Sequence, residues 1–150
     1  MKKTHNAEWG ISRDGAYEGK NSLYCKIITP FSDDVNWNVP PVQVEGDSTY
    51  MISLLFKSSR VKSNQNEKAE HRKYPKLPTI RVILLDADKK VCIPVKDYVW
   101  FGAGFKEKIE NWEAIRKVVK TTSATRYLSM SMILNAQGEY WIDEITVEKL

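Results

Sequence analysis

The sequence predicts an all-β fold, a sandwich or barrel of antiparallel strands, on two observations. Short apolar runs rich in β-branched and aromatic residues recur along the chain, and Gly, Asp and Asn, which tolerate the positive φ of tight turns, stand between them. Five runs are clear: "NSLYCKII", "STYMISLLFKS", "TIRVILLDA", "TRYLSMSMIL" and "EYWIDEITVE". The connections "VEGDS", "DADKK" and "NAQGE" read as hairpins.

Each element follows from its own pattern. In "STYMISLLFKS", Tyr50, Ile52, Leu54 and Phe56 share one face and Met51, Ser53, Leu55 and Lys57 the other, as in a strand with one core face and one half-wet face. A polar, basic stretch follows from about residue 58 to Pro78 and reads as a long loop. In "FKEKIENWEAIRKVV", Phe105, Ile109, Trp112, Ile115 and Val119 recur at spacings of three and four, as in an amphipathic helix. The same stretch also reads as a turn and a strand from Trp112, and the pattern does not decide. The last run, "EYWIDEITVE", puts Trp141, Asp143, Ile145 and Val147 on one face and Tyr140, Ile142, Glu144 and Thr146 on the other. An aspartate on an apolar face must sit at an edge, be neutralised by a cation, or accept backbone hydrogen bonds, because a buried lone carboxylate costs several kcal/mol at least.

Length and composition bound the rest. A chain of 150 residues is the size of one domain and can bury a core without staples, so residues 1–150 are expected to form a single domain. Much of the excess behind the formal charge of +4 lies in the loop after Lys57, which reads as solvated rather than as a nucleic-acid face. No run approaches the roughly 20 apolar residues of a membrane span. The start, "MKKTHNAEWG", has no apolar run behind its lysines and does not read as a signal peptide, so an exported parent would make this chain a piece of it. Cys25 and Cys92 form no metal-ligand pair and read as two buried thiols, though spacing leaves a disulfide open.

Catalytic constellations are scarce. There is no GxSxG, no HExxH and no phosphate-cradling glycine loop, and His5 and His71 lie in polar stretches. Asp33 with Asp34, and Asp143 with Glu144, are adjacent in sequence and point to opposite faces of a strand, so neither pair flanks a glycosidic bond. The chain is expected not to be an enzyme.

Two distant stretches, "AYEGKNSLYCKI" and "YWIDEITV", together with "TYMISLLFK", the tryptophan of "WEAIRKVV" and "ATRYLSMSM", carry a resemblance from about Trp9 to the end. In their order and spacing they resemble the carbohydrate-binding modules of xylanases and cellulases, in the galactose-binding-like superfamily. The resemblance implies a jelly-roll β-sandwich of two antiparallel sheets, and it makes the Trp112 segment a strand. It also implies a structural calcium ion held by Asp143, Glu18 and the backbone near Gly19 and Lys20, since a hard cation with oxygen ligands removes the cost of burying Asp143. Without the ion, Asp143 would accept backbone hydrogen bonds. In the family's "WVK" the platform is a tryptophan, and here Leu55 replaces it. The same wet face is expected to carry Met51, Ser53, Lys57, Tyr127, Ser129 and Ser131. Stacking then falls mainly to the loop aromatics Trp37, Tyr98 and Trp100, with Tyr127 and Lys57 at the edge of the wet face; an aromatic in such a loop either meets a ligand or packs under the loop.

The function this implies is non-catalytic binding of a polysaccharide or oligosaccharide by a monomeric domain, which targets the catalytic domain of a secreted bacterial enzyme to its substrate. The alternative is a sandwich that has lost its sugar site and packs against that catalytic domain. Neither reading involves nucleic acid or membrane.

Overall fold

Alternation is visible in the burial of the chain. From Tyr50 to Ser58 every second residue is buried and the residues between are half-buried, which makes a strand with one face on the core. The computed structural model describes residues 2–3, 7–12, 22–28, 35–59, 79–102, 109–134 and 137–150. Among them the strands are β1 (Lys2–Lys3), β2 (Ala7–Ser12), β3 (Ser22–Ile27), β4 (Val35–Gln43), β5 (Thr49–Ser59), β6 (Thr79–Leu85), β7 (Val99–Gly102), β8 (Ile109–Lys120), β9 (Tyr127–Leu134) and β10 (Gly138–Lys149). One 3-10 turn, Val95–Asp97, precedes β7.

The strands form a six-stranded sheet in the order β1-β2-β3-β10-β5-β8 and a four-stranded sheet in the order β4-β9-β6-β7. Every pairing is antiparallel. The orders β3-β10-β5-β8 and β4-β9-β6-β7 are those of a jelly roll, as expected, because the chain keeps crossing from one sheet to the other. Between the sheets, Ile52, Phe56, Val82, Leu128 and Tyr140 are fully buried, each worth about 1.5 to 3 kcal/mol of transfer free energy for an aliphatic or phenyl side chain. The rings of Phe56 and Tyr140 stand 6.2 Å apart at this centre.

Four sequence expectations need adjusting. "VEGDS" joins β4 to β5 and "NAQGE" joins β9 to β10, and each pair is split between the two sheets. These turns are therefore crossings, and only "DADKK" reverses the chain locally, with Asp86 Oδ1 accepting from the N–H groups of Asp88 and Lys90 and a bridge from Leu85 to Val91. Turn residues report that the backbone reverses, not which strand it then pairs with. The loop after Lys57 starts later than expected, since Ser58 and Ser59 belong to β5 and Ser58 is buried; residues 60–78 lie outside the described set. The Trp112 segment is a strand, and it begins at Ile109 rather than at Trp112.

The fourth concerns the last strand. Asp143 pairs with Leu55 but Thr146 pairs with Ser53, so β10 holds one residue more than β5 over this interval. This is a β-bulge, marked by Glu144 at φ 47. An extra residue reverses the alternation beyond it. Tyr140 and Ile142 face the core before the bulge, and Ile145 and Val147 pack against it afterwards. Asp143 therefore lies with Trp141 on the outer face and does not share a face with Ile145 and Val147, contrary to the simple alternation.

Cys25 and Cys92 are free thiols. Cys25 is fully buried, and burial pushes its thiol up to about 12.

Candidate functional site

The bulge that turns Asp143 outward leaves Trp141 outside as well, and cross-strand pairing gives it neighbours. Residues directly opposite one another in a sheet share a face. Trp141 pairs with Tyr24 on β3 and with Lys57 on β5, all three half-buried on the outer face of the six-stranded sheet. The rings of Tyr24 and Trp141 lie 5.4 Å apart and tilted by 46°. Lys57 Nζ sits 5.0 Å from the Trp141 ring centre and 5.4 Å from that of Trp112 on β8. Tyr24, Trp141, Lys57 and Trp112 thus form one row across four adjacent strands, roughly 14 Å wide at the usual strand spacing.

The row has a polar border. The Tyr24 hydroxyl donates to Glu139 Oε1 at 3.2 Å, and burial, then the Glu139 charge, push the phenol up to about 12. It is a neutral donor at any physiological pH. Glu8, Lys26 and Glu139 pair side by side along the next row. On the other side lies Leu55, between Asp143 and Ala114, so the row beside the aromatics carries no ring.

The outer face of the four-stranded sheet holds two of the residues nominated from sequence, Trp100 and Tyr127. Arg81 on β6 pairs with Trp100 on β7 and with Ser131 on β9, and Ser131 pairs with Asn38 on β4. The Arg81 guanidinium carbon lies 5.7 Å from the Trp100 ring centre, and the Ser131 hydroxyl donates to Asn38 Oδ1 at 2.7 Å. Tyr127 lies at the far end of β9, with Lys89 Nζ 5.3 Å from its ring centre. Tyr98 is half-buried at the end of the 3-10 turn, where its N–H donates to the Val95 carbonyl at 3.2 Å. Trp37 falls on β4 opposite Met132, and its side chain is outside the described part of the structure.

The expected ligand set is therefore divided. Trp100 and Tyr127 belong to the four-stranded sheet and Lys57 to the six-stranded one. The shared wet face expected for Lys57 and Tyr127 does not exist, because β5 and β9 are in different sheets. Sequence reasoning missed Tyr24, Trp112 and Trp141 as a unit. Their one signal was the apparent pairing of "SLYCKI" with "YWIDEITV"; register, which no single strand carries, makes them neighbours.

The expected metal ligands lie partly out of view, since Glu18, Gly19 and Lys20 are outside the described residues. Asp143 lines an open cleft of about 220 Å³ with Ile11, Ser22, Leu23, Ile142, Glu144 and Ile145. One Asp143 oxygen accepts from the Glu144 N–H at 2.8 Å. The Ser22 hydroxyl is buried in the same cleft without a hydrogen-bond partner. Among the described residues no three His, Cys, Asp or Glu side chains come together as a metal site. The polar side chains of the described part of the cleft are the carboxylates of Asp143 and Glu144 and the orphaned Ser22 hydroxyl, all oxygen donors, and that chemistry suits a hard cation.

No family model and no curated protein matches the chain. Solved structures do. The chain is similar to the enzymatically active domain of tailspike protein 4 of bacteriophage CBA120, with a TM-score of 0.68 and 9% identity over 99% of this chain and 18% of that one. It is similar to the CBM22-1 xylan-binding domain of a Paenibacillus barcinonensis protein, with a TM-score of 0.53 and 16% identity over 97% of this chain and 83% of the other. It is also similar to the CBM22-1 and GH10 modules of the Clostridium thermocellum endo-1,4-β-D-xylanase 10B complexed with xylohexaose, at 0.55 and 12% over 97% and 25%. The chain thus spans under a fifth of the tailspike chain and a quarter of the xylanase one, but most of the isolated xylan-binding domain. With its jelly-roll strand order and these full-length matches, the chain has the β-sandwich fold of carbohydrate-binding modules.

Proposed function

We propose that this chain is a non-catalytic carbohydrate-binding domain whose glycan lies across Tyr24, Trp141, Lys57 and Trp112. The observation that carries the reading is the row itself: three half-buried rings held in register across four strands, with hydrogen-bonding groups along the border. Flat apolar faces stack on the faces of sugar rings, while Tyr24, Glu139 and Lys57 bond hydroxyls. Strands hold these side chains more rigidly than loops do, so little ordering entropy is lost on binding. The similar structures include a xylan-binding domain and a xylanase with xylohexaose, which supports a polysaccharide as the ligand class.

In this reading the domain belongs to a larger secreted protein and raises the effective substrate concentration for an attached polysaccharide-degrading domain. Calcium is part of the proposal: Asp143 and Ser22, with the expected carboxylate of Glu18 and backbone near Lys20, would hold it in the cleft beside β3 and β10. Its chemistry there would be charge neutralisation, tying the two strands together, with no part in a reaction.

A second reading has an observation in its favour. Lys57 already lies over two indole rings, and a face capped in this way also suits packing against a neighbouring catalytic domain. A glycan array with the purified chain separates the two. Binding that falls in Trp112→Ala and Trp141→Ala, with melting temperature retained, supports the sugar site. Silence across plant, algal and animal glycans supports the packing surface.

A further inference from the structure

The two sheets differ sharply in charge. Strands β4, β6, β7 and β9 read "VNWNVPPVQ", "TIRVILL", "VWFG" and "YLSMSMIL", and Arg81 is the one formally charged residue in all of them. The aromatic row on the other sheet sits among charges of both signs, Glu8, Lys26, Lys57, Glu139 and Asp143, and has no net pull on an anion. Arg81 has none of that compensation on its own strands. Its guanidinium carbon lies over the Trp100 ring, 5.7 Å from its centre, and its neighbours across β9 and β4 are the hydroxyl of Ser131 and the amide of Asn38. Its Nε is buried with no hydrogen-bond partner. A buried donor without an acceptor costs free energy, and a charged one costs more, so such groups mark places where a further group belongs.

The geometry points to a second ligand site on the outer face of the four-stranded sheet, where Arg81, beside Trp100, Ser131 and Asn38, binds an oxyanion carried on a glycan. The chemistry shared by the two sources is a charge-assisted, two-pronged contact from a guanidinium, which a carboxylate of a uronic acid and a sulfate ester both satisfy. Trp100 gives the sugar carrying the anion an apolar wall, and the exposed Asn38 amide, held by the buried Ser131 hydroxyl, offers its hydroxyls a partner. This site is separate from the row on the six-stranded sheet and stands whether or not that row binds sugar.

The test uses the whole chain, calorimetry at low salt, and three oligosaccharides of equal length: a uronate, a sulfated and a neutral one. At least one acidic probe should bind more tightly than the neutral one and weaken as salt rises. Which acidic probe binds identifies the source of the anion. Arg81→Gln should weaken that binding by about tenfold or more, while Arg116→Gln, an equal loss of charge at an exposed position on β8, leaves it unchanged. Arg81→Met, which keeps the stem and removes the orphaned donor, should melt close to the parent. Equal affinity for acidic and neutral probes, or parent-like binding of the acidic probe by Arg81→Gln, overturns the site. Should both variants unfold, Arg81→Lys replaces them: it keeps the charge and loses the fork, so weakened binding supports the proposal and parent affinity overturns it.

Discussion

Removing Trp141 should separate the aromatic row's effect on binding from its effect on stability. Trp141 contacts the Tyr24 ring at 5.4 Å on one side and the Lys57 ammonium at 5.0 Å on the other. An aromatic pair contributes about 0.5 to 1.5 kcal/mol and an exposed cation–π contact about 0.5 to 1, so Trp141→Ala should cost roughly 1 to 2.5 kcal/mol before lost burial is counted. Trp112 also makes a cation–π contact with Lys57, worth about 0.5 to 1 kcal/mol of the cost of Trp112→Ala. For a neutral glycan each indole should contribute about 1 to 2 kcal/mol of stacking, roughly five- to thirtyfold in affinity. The assay pairs urea unfolding with calorimetric titration of one neutral oligosaccharide for the parent, both alanine variants and the double variant. The reasoning fails if both single variants bind like the parent while Trp100→Ala abolishes binding, because the neutral ligand then lies on the four-stranded sheet.

Three further outcomes follow from the fold. Gly46→Ala should destabilise the chain by about 1 to 3 kcal/mol in urea unfolding, because a Cβ there would stand 2.7 Å from the Ser123 carbonyl oxygen and 2.9 Å from that of Thr122; an unchanged midpoint would mean the turn moves freely. If calcium occupies the Asp143 cleft, a chelator lowers the melting temperature of the parent and not of Asp143→Ala, whereas equal melting of the parent with and without chelator removes the ion. Stability should fall at alkaline pH. Burial raises Cys25 from 9.0 to about 12 and Tyr24 from 10.0 to about 12, and raises Tyr140 further. The unfolded chain loses these protons first, so their contribution is complete below pH 9 and is lost as pH climbs towards 12. Tyr24→Phe should flatten part of that slope, and a profile flat across the window in the parent would refute the buried assignments.

How much of this was legible depends on where the information lies. The faces of β5 could be read because its alternation from Tyr50 to Ser58 is unbroken and one face is core throughout. The helix-like spacing of Ile109, Trp112, Ile115 and Val119 has two causes that pattern alone conceals. β8 is an edge strand, so Lys117 can stay exposed between the buried Ile115 and Val119. Its pairing with β5 also slips between Phe56 and Ser58, which puts Trp112 in the irregular part. On β10 the failure was sharper. The bulge rests on a positive φ at Glu144, a residue type that gives no warning of it, since glycine or asparagine usually occupies such positions.

The same bulge bears on the function. Had β10 alternated without interruption, one face would carry Trp141, Asp143, Ile145 and Val147 together, and either the aspartate would be buried or the two aliphatics would be wet. The extra residue lets Trp141 and Asp143 face outward while Ile145 and Val147 still pack on the core. The row of Tyr24, Trp141, Lys57 and Trp112 and the oxygen-lined cleft at Asp143 therefore share one structural cause. A deletion of Glu144 tests it: with the extra residue gone, simple alternation from Asp143 puts Ile145 opposite Leu54 on the core face, leaves Thr146 outward opposite Ser53 and keeps Val147 inward, so Trp141 and Asp143 stay outside and the register with β5 is retained. The variant should therefore melt close to the parent and bind a neutral glycan as the parent does. A loss of several kcal/mol in urea unfolding would show instead that β10 slips against β5 and buries polar side chains, which would overturn this account of the bulge.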